Sequence, residues 1–192
     1  MIINLHGFNS AGDNNTAEQL KGYFEPAVQV VSPSYTVHNY AVGMAELHKL
    51  LEFQPLEPRL FVGSSTGALY AEMLARHFGG GVVAINPVTD PGILKGALGW
   101  NTNYRTQVRY EFRGEDLDTF AAVEHDLSLP RLVLVDIGDP VIDHRQTRVF
   151  YRDAAHYIEF AGDSHRFTFF DEALPEIEEL YRRVERGLLN AD

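Results

Sequence analysis

Serine, aspartate and histidine, the side chains that together make an activated nucleophile, follow one another in this sequence. Gly63-Ser64-Ser65-Thr66-Gly67 fits the frame Gly-x-Ser-x-Gly in a single register, which points to Ser65. Aspartates follow at Asp136, Asp139 and Asp143, and a histidine closes the series at His165, within "GDSHRF". A serine hydroxyl attacks a carbonyl only when a base within hydrogen-bond reach takes its proton. Imidazole is the usual base, and a carboxylate behind it fixes the tautomer and steadies the imidazolium. A lone Gly-x-Ser-x-Gly is equally met by a serine that caps a helix, so Ser65 has a structural alternative. Ser64 has only the structural reading.

The elements around these residues decide whether they can meet. "MIINLHGF" reads as a buried strand, Ile2 to Leu5, ending at Gly7. Thr16 and Gln19 form a capping-box pattern for a helix through about Phe24, and "VQVVSPSY" reads as a second strand stopped by Pro33. Met44, Leu47 and Leu51 recur at helical spacing until Pro55 and Pro58. "RLFVGSS" is a strand and "TGALYAEMLARHF" the helix behind it. "GGVVAINP", "PRLVLVDIGD" and "HYIEFAG" are further strands, with helical patterns in "DHRQTRVFYRDA" and "EALPEIEELYRRVERGLL". In the last, Leu174, Ile177, Tyr181, Val184 and Leu188 fall on one stripe. Val- and Ile-rich strands alternating with helices predict an α/β fold with a mostly parallel sheet covered on both faces.

In such sheets chemistry gathers beyond the carboxyl ends of the strands. The residues expected there are His6, Gly7, Phe8 and Asn9; Ser64, Ser65 and Thr66; Asn86; the three aspartates; and Asp163, Ser164 and His165. The strand–helix alternation lapses between Pro91 and Leu129, a stretch with Trp100, Tyr104, Tyr110, Phe112 and Phe120. It is an excursion over one sheet edge, read either as a lid or as a packed flap on a single domain spanning residues 1–192.

The motifs "LHGFNS", "GSSTGALYA", "INP", "GDPVID" and "GDSHRF", in this order over nearly the whole chain, resemble the α/β-hydrolase superfamily, and in particular a group of short bacterial esterase-like proteins. The resemblance implies a minimal α/β-hydrolase fold without the usual first two strands, because the His-Gly loop normally follows strand three. It implies that Ser65 is the nucleophile at a strained strand-to-helix elbow, with Gly63 and Gly67 removing flanking side chains. His165 is then the base and Asp139, in the turn past its strand, the acid. Asp136 is read as facing a helix, and Asp143, three residues before Gln146, as a helix cap. The backbone N–H of Thr66 is one candidate oxyanion donor at the helix amino terminus, and the resemblance points to that of Phe8 as the other, with His6 and Gly7 ordering the loop.

The implied activity is hydrolysis of a small carboxylic ester or thioester through an acyl-enzyme, with no cofactor. A non-catalytic binding module on the same fold and acyl transfer to an acceptor other than water are the alternatives. His38, His48, His77, His125 and His156 read as surface or satisfied core residues, and His144 as part of a helix start. No His pair has the i, i+4 spacing around a glutamate of zinc hydrolases, so no metal site is expected. Gly7 to Gly12 mimics a phosphate-binding loop, but Asp13 and Asn14 stand where that loop needs lysine and then serine or threonine.

Composition sets the remaining bounds. The 192 residues carry 27 acidic and 16 basic side chains, a net charge of −11 that argues against nucleic acid or an anionic membrane as partner. Without cysteine there is neither thiol catalysis nor Cys-ligated zinc. No apolar run approaches the roughly 20 residues of a membrane span, and "MIINLHGF" lacks the basic start of a signal peptide. A cytoplasmic location is expected.

Overall fold

The computed structural model describes residues 1–54, 57–122, 128–154 and 156–189. Pro55, His125 and the side chain of Leu188 lie outside the described parts. Six parallel strands form the central sheet in the order β2-β1-β3-β4-β7-β8. These are β1 (Ile2–Leu5), β2 (Val30–Val31), β3 (Leu60–Ser64), β4 (Gly81–Ile85), β7 (Arg131–Asp136) and β8 (His156–Phe160).

Side chains alternate across the strands with period two, and both sets are apolar. Ile3, Leu5, Phe61, Val82, Ala84, Val133 and Val135 enter one core, under α2 (Tyr40–Leu51) and α3 (Gly67–Phe78). Ile2, Leu60, Val62, Val83, Ile85, Leu132 and Leu134 enter the other, under α1 (Asn15–Phe24) and α6 (Phe170–Leu189). Continuous apolar strands mark a parallel sheet buried on both faces, and the predicted α/β class is observed. Leu174, Ile177, Tyr181 and Val184 of α6 are buried along the predicted stripe. Among the described residues no helix is long and apolar enough to cross a membrane.

Three local readings need correction. The second strand is only Val30–Val31, paired with Ile2 and Ile3. Beyond it Ser32 Oγ donates to Gly12 O and Ser34 Oγ accepts from Gly12 N–H, so this stretch binds the loop before α1 instead of extending the sheet. Helix α1 is capped by Asn14, whose Oδ1 accepts from Ala17 N–H at 2.9 Å, and not by Thr16. Asn14 wins because Ala11 O and Asn4 Nδ2 also hold its side chain. The segment after residue 91 is ordered into a 3₁₀ turn (Pro91–Ala97), an antiparallel hairpin β5 (Gly99–Thr102) and β6 (Arg109–Phe112), and a short α4 (Gly114–Asp118). Phe112 and Phe120 are buried in the core, whereas Trp100 stays 63% exposed with Arg109 stacked on it.

One buried ion pair ties the helix after β3 to the start of β7. Arg131 Nε and Nη2 donate to the two oxygens of Glu72 at 2.9 and 2.5 Å, and both side chains are at most 2% exposed. Tyr151 Oη donates to the same carboxylate. Losing one member strands the other charge away from water, a cost of about 3–5 kcal/mol, whereas an apolar replacement of both is often tolerated. Glu72→Ala should therefore lower the unfolding free energy by about 3–5 kcal/mol, while Glu72→Met/Arg131→Met should retain most of it, both read from urea unfolding. Equal losses in the two proteins would mean that the pair is not a matched charge couple.

Candidate active site

Strand β3 delivers Ser65 onto a backbone that side-chain-bearing residues avoid: its φ is 55°. Ser65 N–H donates to Ile85 O, and Ser65 O accepts from Ala68 and Val88 N–H, so three bonds hold the conformation. A β-carbon on Gly63 would lie 2.6 Å from Ala68 Cα, and one on Gly67 would strike Leu5 O. The glycines thus make room for the following helix and the neighbouring strand, and not merely for the serine. Helix α3 has Thr66 at its cap position without a side-chain cap bond. Ser65 does not cap it either. Its hydroxyl instead lies 3.0 Å from His165 Nε2. Ser64 meets Thr16 Oγ1 at 3.5 Å and is not part of that contact.

His165 Nδ1 donates to Asp139 Oδ2 at 2.7 Å. The Asp139 side chain is 1% exposed, and its other oxygen accepts from Val141 and Ile142 N–H at 2.7 and 3.0 Å. Fully engaged in this way, the carboxylate has one orientation toward the imidazole, whose Nε2 faces Ser65. Asp143 caps α5 (His144–Phe150), as expected, by accepting from Arg145 N–H. Asp136 has a task beyond its reading: its carboxylate accepts from Gly138 and Ser164 N–H, so it braces both the turn leading to Asp139 and the loop leading to His165.

His6 is 1% exposed. Its Nδ1 donates to Gly7 O at 3.0 Å and its Nε2 accepts from Tyr35 N–H at 3.3 Å, a pattern that selects the neutral Nδ1–H tautomer. Burial lowers its pKa below the ordinary imidazole value, in the same direction. Tyr35 Oη donates to His6 O, and its ring sits edge-on to Tyr70 of α3. Among the described residues neither Phe8 N–H nor Thr66 N–H meets a protein acceptor.

A cleft of about 270 Å³ opens over Ser65, His165, Gly7 and Phe8. Another cleft, of about 380 Å³, lies between Val88 and Gln146 and contains neither Ser65 nor His165. The β5–β6 hairpin forms part of the wall of the smaller cleft. It is stitched to the loop after β1: Tyr104 N–H donates to Asn9 O, Tyr110 Oη to Asn9 Oδ1, and Asn103 Nδ2 to Ser10 O. Phe8 packs edge-on against Phe112.

Asn86 stands at the expected strand end but had no assigned task. With φ 42°, its Oδ1 accepts from Asp136 N–H at 2.7 Å and its Nδ2 donates to His165 O at 3.2 Å. One side chain thus joins the strand that leads to Asp139 to the loop that bears His165. The sequence signal was a polar residue directly after an apolar strand, in "INP". Tyr35 gave no such signal, because it acts from a loop distant in sequence.

Two expectations follow. A left-handed φ costs a residue with a β-carbon about 1–2 kcal/mol relative to glycine, so Ser65→Gly should unfold about 1 kcal/mol less readily than Ser65→Ala in urea. The reverse order would mean that the elbow is unstrained. His6, kept neutral by burial, binds fewer protons folded than unfolded once pH falls below the ordinary imidazole value of about 6.5. Stability at this site is complete above that pH and declines as pH falls toward the lowered folded value. His38 and His48 are shifted the same way by burial. His6→Gln should therefore reduce, without abolishing, the loss of stability between about pH 7 and 5; an unchanged slope would show that His6 is not held neutral.

With the geometry in place, comparisons with known proteins bear on the fold. The structure is similar to alpha/beta hydrolase domain-containing protein 10 from mouse, with TM-score 0.65 and 14% identity over 100% of this chain and 90% of that one. It is similar to a monoacylglycerol lipase of Paleococcus ferrophilus, with TM-score 0.70 and 15% identity over 94% and 93% of the two chains. A pyrethroid hydrolase from Sphingobium faniae gives TM-score 0.69 and 13% identity over 94% and 96%. At such identities the likeness is one of fold, and that fold is the α/β-hydrolase. No curated protein matches the sequence. Residues 1–182 match the family described as Uncharacterised protein family (UPF0227), and the chain belongs to that family.

Proposed function

We propose that this protein is a serine hydrolase that cleaves a small carboxylic ester or thioester through an acyl-enzyme. The observation that carries the reading is the chain of contacts from Ser65 Oγ to His165 Nε2 at 3.0 Å and from His165 Nδ1 to Asp139 Oδ2 at 2.7 Å. Ser65 Oγ attacks the acyl carbon while its proton passes to Nε2. The carbonyl oxygen takes up the negative charge and is held by the N–H groups of Phe8 and Thr66. As the tetrahedral centre collapses, the bond to the leaving oxygen or sulfur breaks, and that atom takes the proton from Nε2. Water then gives a proton to Nε2 and adds to the acyl carbon. The acid leaves as Ser65 Oγ recovers its hydrogen. Asp139 stays ionised throughout and balances the imidazolium. Every group in this sequence belongs to the chain itself.

An organophosphonate should label Ser65 and spare Ser64, as read by peptide mass spectrometry, and Ser65→Ala should abolish labelling and turnover of a chromogenic short-chain ester. Asp139→Asn should lower kcat by about 10⁴-fold because the amide leaves His165 in the wrong tautomer. Asp143→Ala should instead act on stability, by about 1 kcal/mol through the lost cap. A label on Ser64, turnover by Ser65→Ala, or a greater kcat loss in Asp143→Ala than in Asp139→Asn would sink this assignment.

A further inference from the structure

The charge of the cleft opposes that of the molecule. The chain has a net charge of −11, yet among the described residues no aspartate or glutamate lines the cleft over Ser65, while Arg105 and Arg166 do. The two arginines differ. Arg105, on the β5–β6 turn, is held at the rim by Asp13, at 3.3 Å, and by Glu18, at 3.8 Å. Arg166 directly follows His165 and is exposed. Its backbone N–H bonds Ser164 Oγ, but its guanidinium meets no carboxylate or other acceptor among the described residues. Asp139, the nearest acid in the mechanism, is consumed by His165 and two backbone N–H groups. One positive charge beside the nucleophile is thus left uncompensated.

The remaining lining is mixed: Ser10, Asn14 and Thr16 bring hydroxyl and amide groups, and Phe8, Ile85 and Phe167 bring apolar surface. Behind Asn14 the buried Asn4 donates to it and to Ser32, while its own Oδ1 finds no partner. A cavity of about 270 Å³ lies just below the usual range of ligand pockets, about 300–1,000 Å³. The hydroxyl and amide groups favour a ligand that pairs with them, since buried polar groups left unpaired are costly. Guanidinium groups favour carboxylate and phosphate through paired, charge-assisted hydrogen bonds.

We propose that the cleft selects small esters or thioesters that carry an anionic group, a carboxylate or a phosphate, which Arg166 binds as the acyl carbon reaches Ser65. This specificity rests on the hydrolase reading above. The reaction is unchanged: water adds across the acyl–oxygen or acyl–sulfur bond, and the anionic group takes no part in bond making.

The test compares kcat/KM at low ionic strength for 4-nitrophenyl butyrate and mono-4-nitrophenyl succinate, which have four-carbon acyl groups and differ in a terminal carboxylate. Ethyl acetate and an acetyl ester of glycerol phosphate form the second pair, with the charge on the alcohol side. At least one anionic ester should exceed its neutral partner by about tenfold, the weight of one charged hydrogen bond. The preference should shrink in salt, because a surface-accessible charge is screened. Arg166→Gln should remove the preference and Arg166→Lys should restore part of it, whereas Arg152→Gln, remote from the cleft, should leave both rates unchanged. A preference confined to the succinyl ester places the anion on the acyl side as a carboxylate; one confined to the phosphate ester places it on the alcohol side. If all the esters are hydrolysed but neutral ones are equally good, or if the preference survives Arg166→Gln, the inference is overturned and the hydrolase reading stands. If no ester turns over and an organophosphonate leaves Ser65 unlabelled, both fall together.

Discussion

The left-handed backbone at Ser65 is the constraint around which the rest of the carboxyl edge is arranged. A β-carbon at φ 55° holds about 1–2 kcal/mol of strain, and such a conformation persists only where its surroundings over-determine it. Here they do so from three directions. Ile85 O and Val88 N–H grip the peptide groups on either side of Ser65. Gly63 and Gly67 let α3 and β1 close to distances that no side chain would permit. The buried Glu72–Arg131 pair then fastens α3 to β7, and so fixes the nucleophile's helix against the strand that supplies Asp139. Strain at one residue is held by the stability of the whole sheet.

Acid and base come from different loops, and their alignment needs its own support. Two side chains provide it without touching Ser65. Asp136 accepts N–H groups from the Gly138 turn and from Ser164, and Asn86 bridges Asp136 N–H to His165 O. Each spans the gap between β7 and the His165 loop, so a displacement of one loop carries the other with it. A 2.7 Å contact between Asp139 and His165 therefore does not depend on either loop being rigid alone. On the other flank Tyr35 does the same for His6, binding it through a backbone N–H and a phenol hydroxyl.

The sheet was legible because its signal is local and repeated. Ile2 to Leu5, Leu60 to Ser64 and Arg131 to Asp136 are short apolar runs ended by glycine or polar residues, a pattern that few other elements produce. The meeting of Ser65, Asp139 and His165 was legible as an order along the chain, since parallel strands bring all their carboxyl ends to one edge. What escaped was set by contacts between distant residues. The β5–β6 hairpin has alternately exposed residues and few apolar ones facing the core, and it depends on Asn9 and Ser10, about a hundred positions away, for its anchoring. Asn14 and Thr16 are both good helix caps by type, and only the pull of Ala11 and Asn4 on the Asn14 side chain decides between them. Asn86 and Asp136 were visible as polar residues at strand ends, but a strand end does not say which loop a side chain will bind.

The hairpin also ties the rim of the cleft to the loop after β1. Its aromatic residues Tyr110 and Phe112 pack on Phe8, so the hairpin backs the loop after β1 directly. Its turn carries Tyr104 and Arg105 to the rim, where Arg105 is fixed by carboxylates on the other side of the cleft mouth. A change in that turn alters the wall directly and reaches Ser65 through the loop after β1, to which Asn103 and Tyr104 are bonded. The elbow, by contrast, admits almost no substitution, since Gly63, Gly67 and the φ of Ser65 are all bound by backbone contacts. The backbone at Ser65 is thus locked into the sheet, while the cleft wall is shared between the hydrogen-bonded hairpin turn and the loop that carries His165 and Arg166.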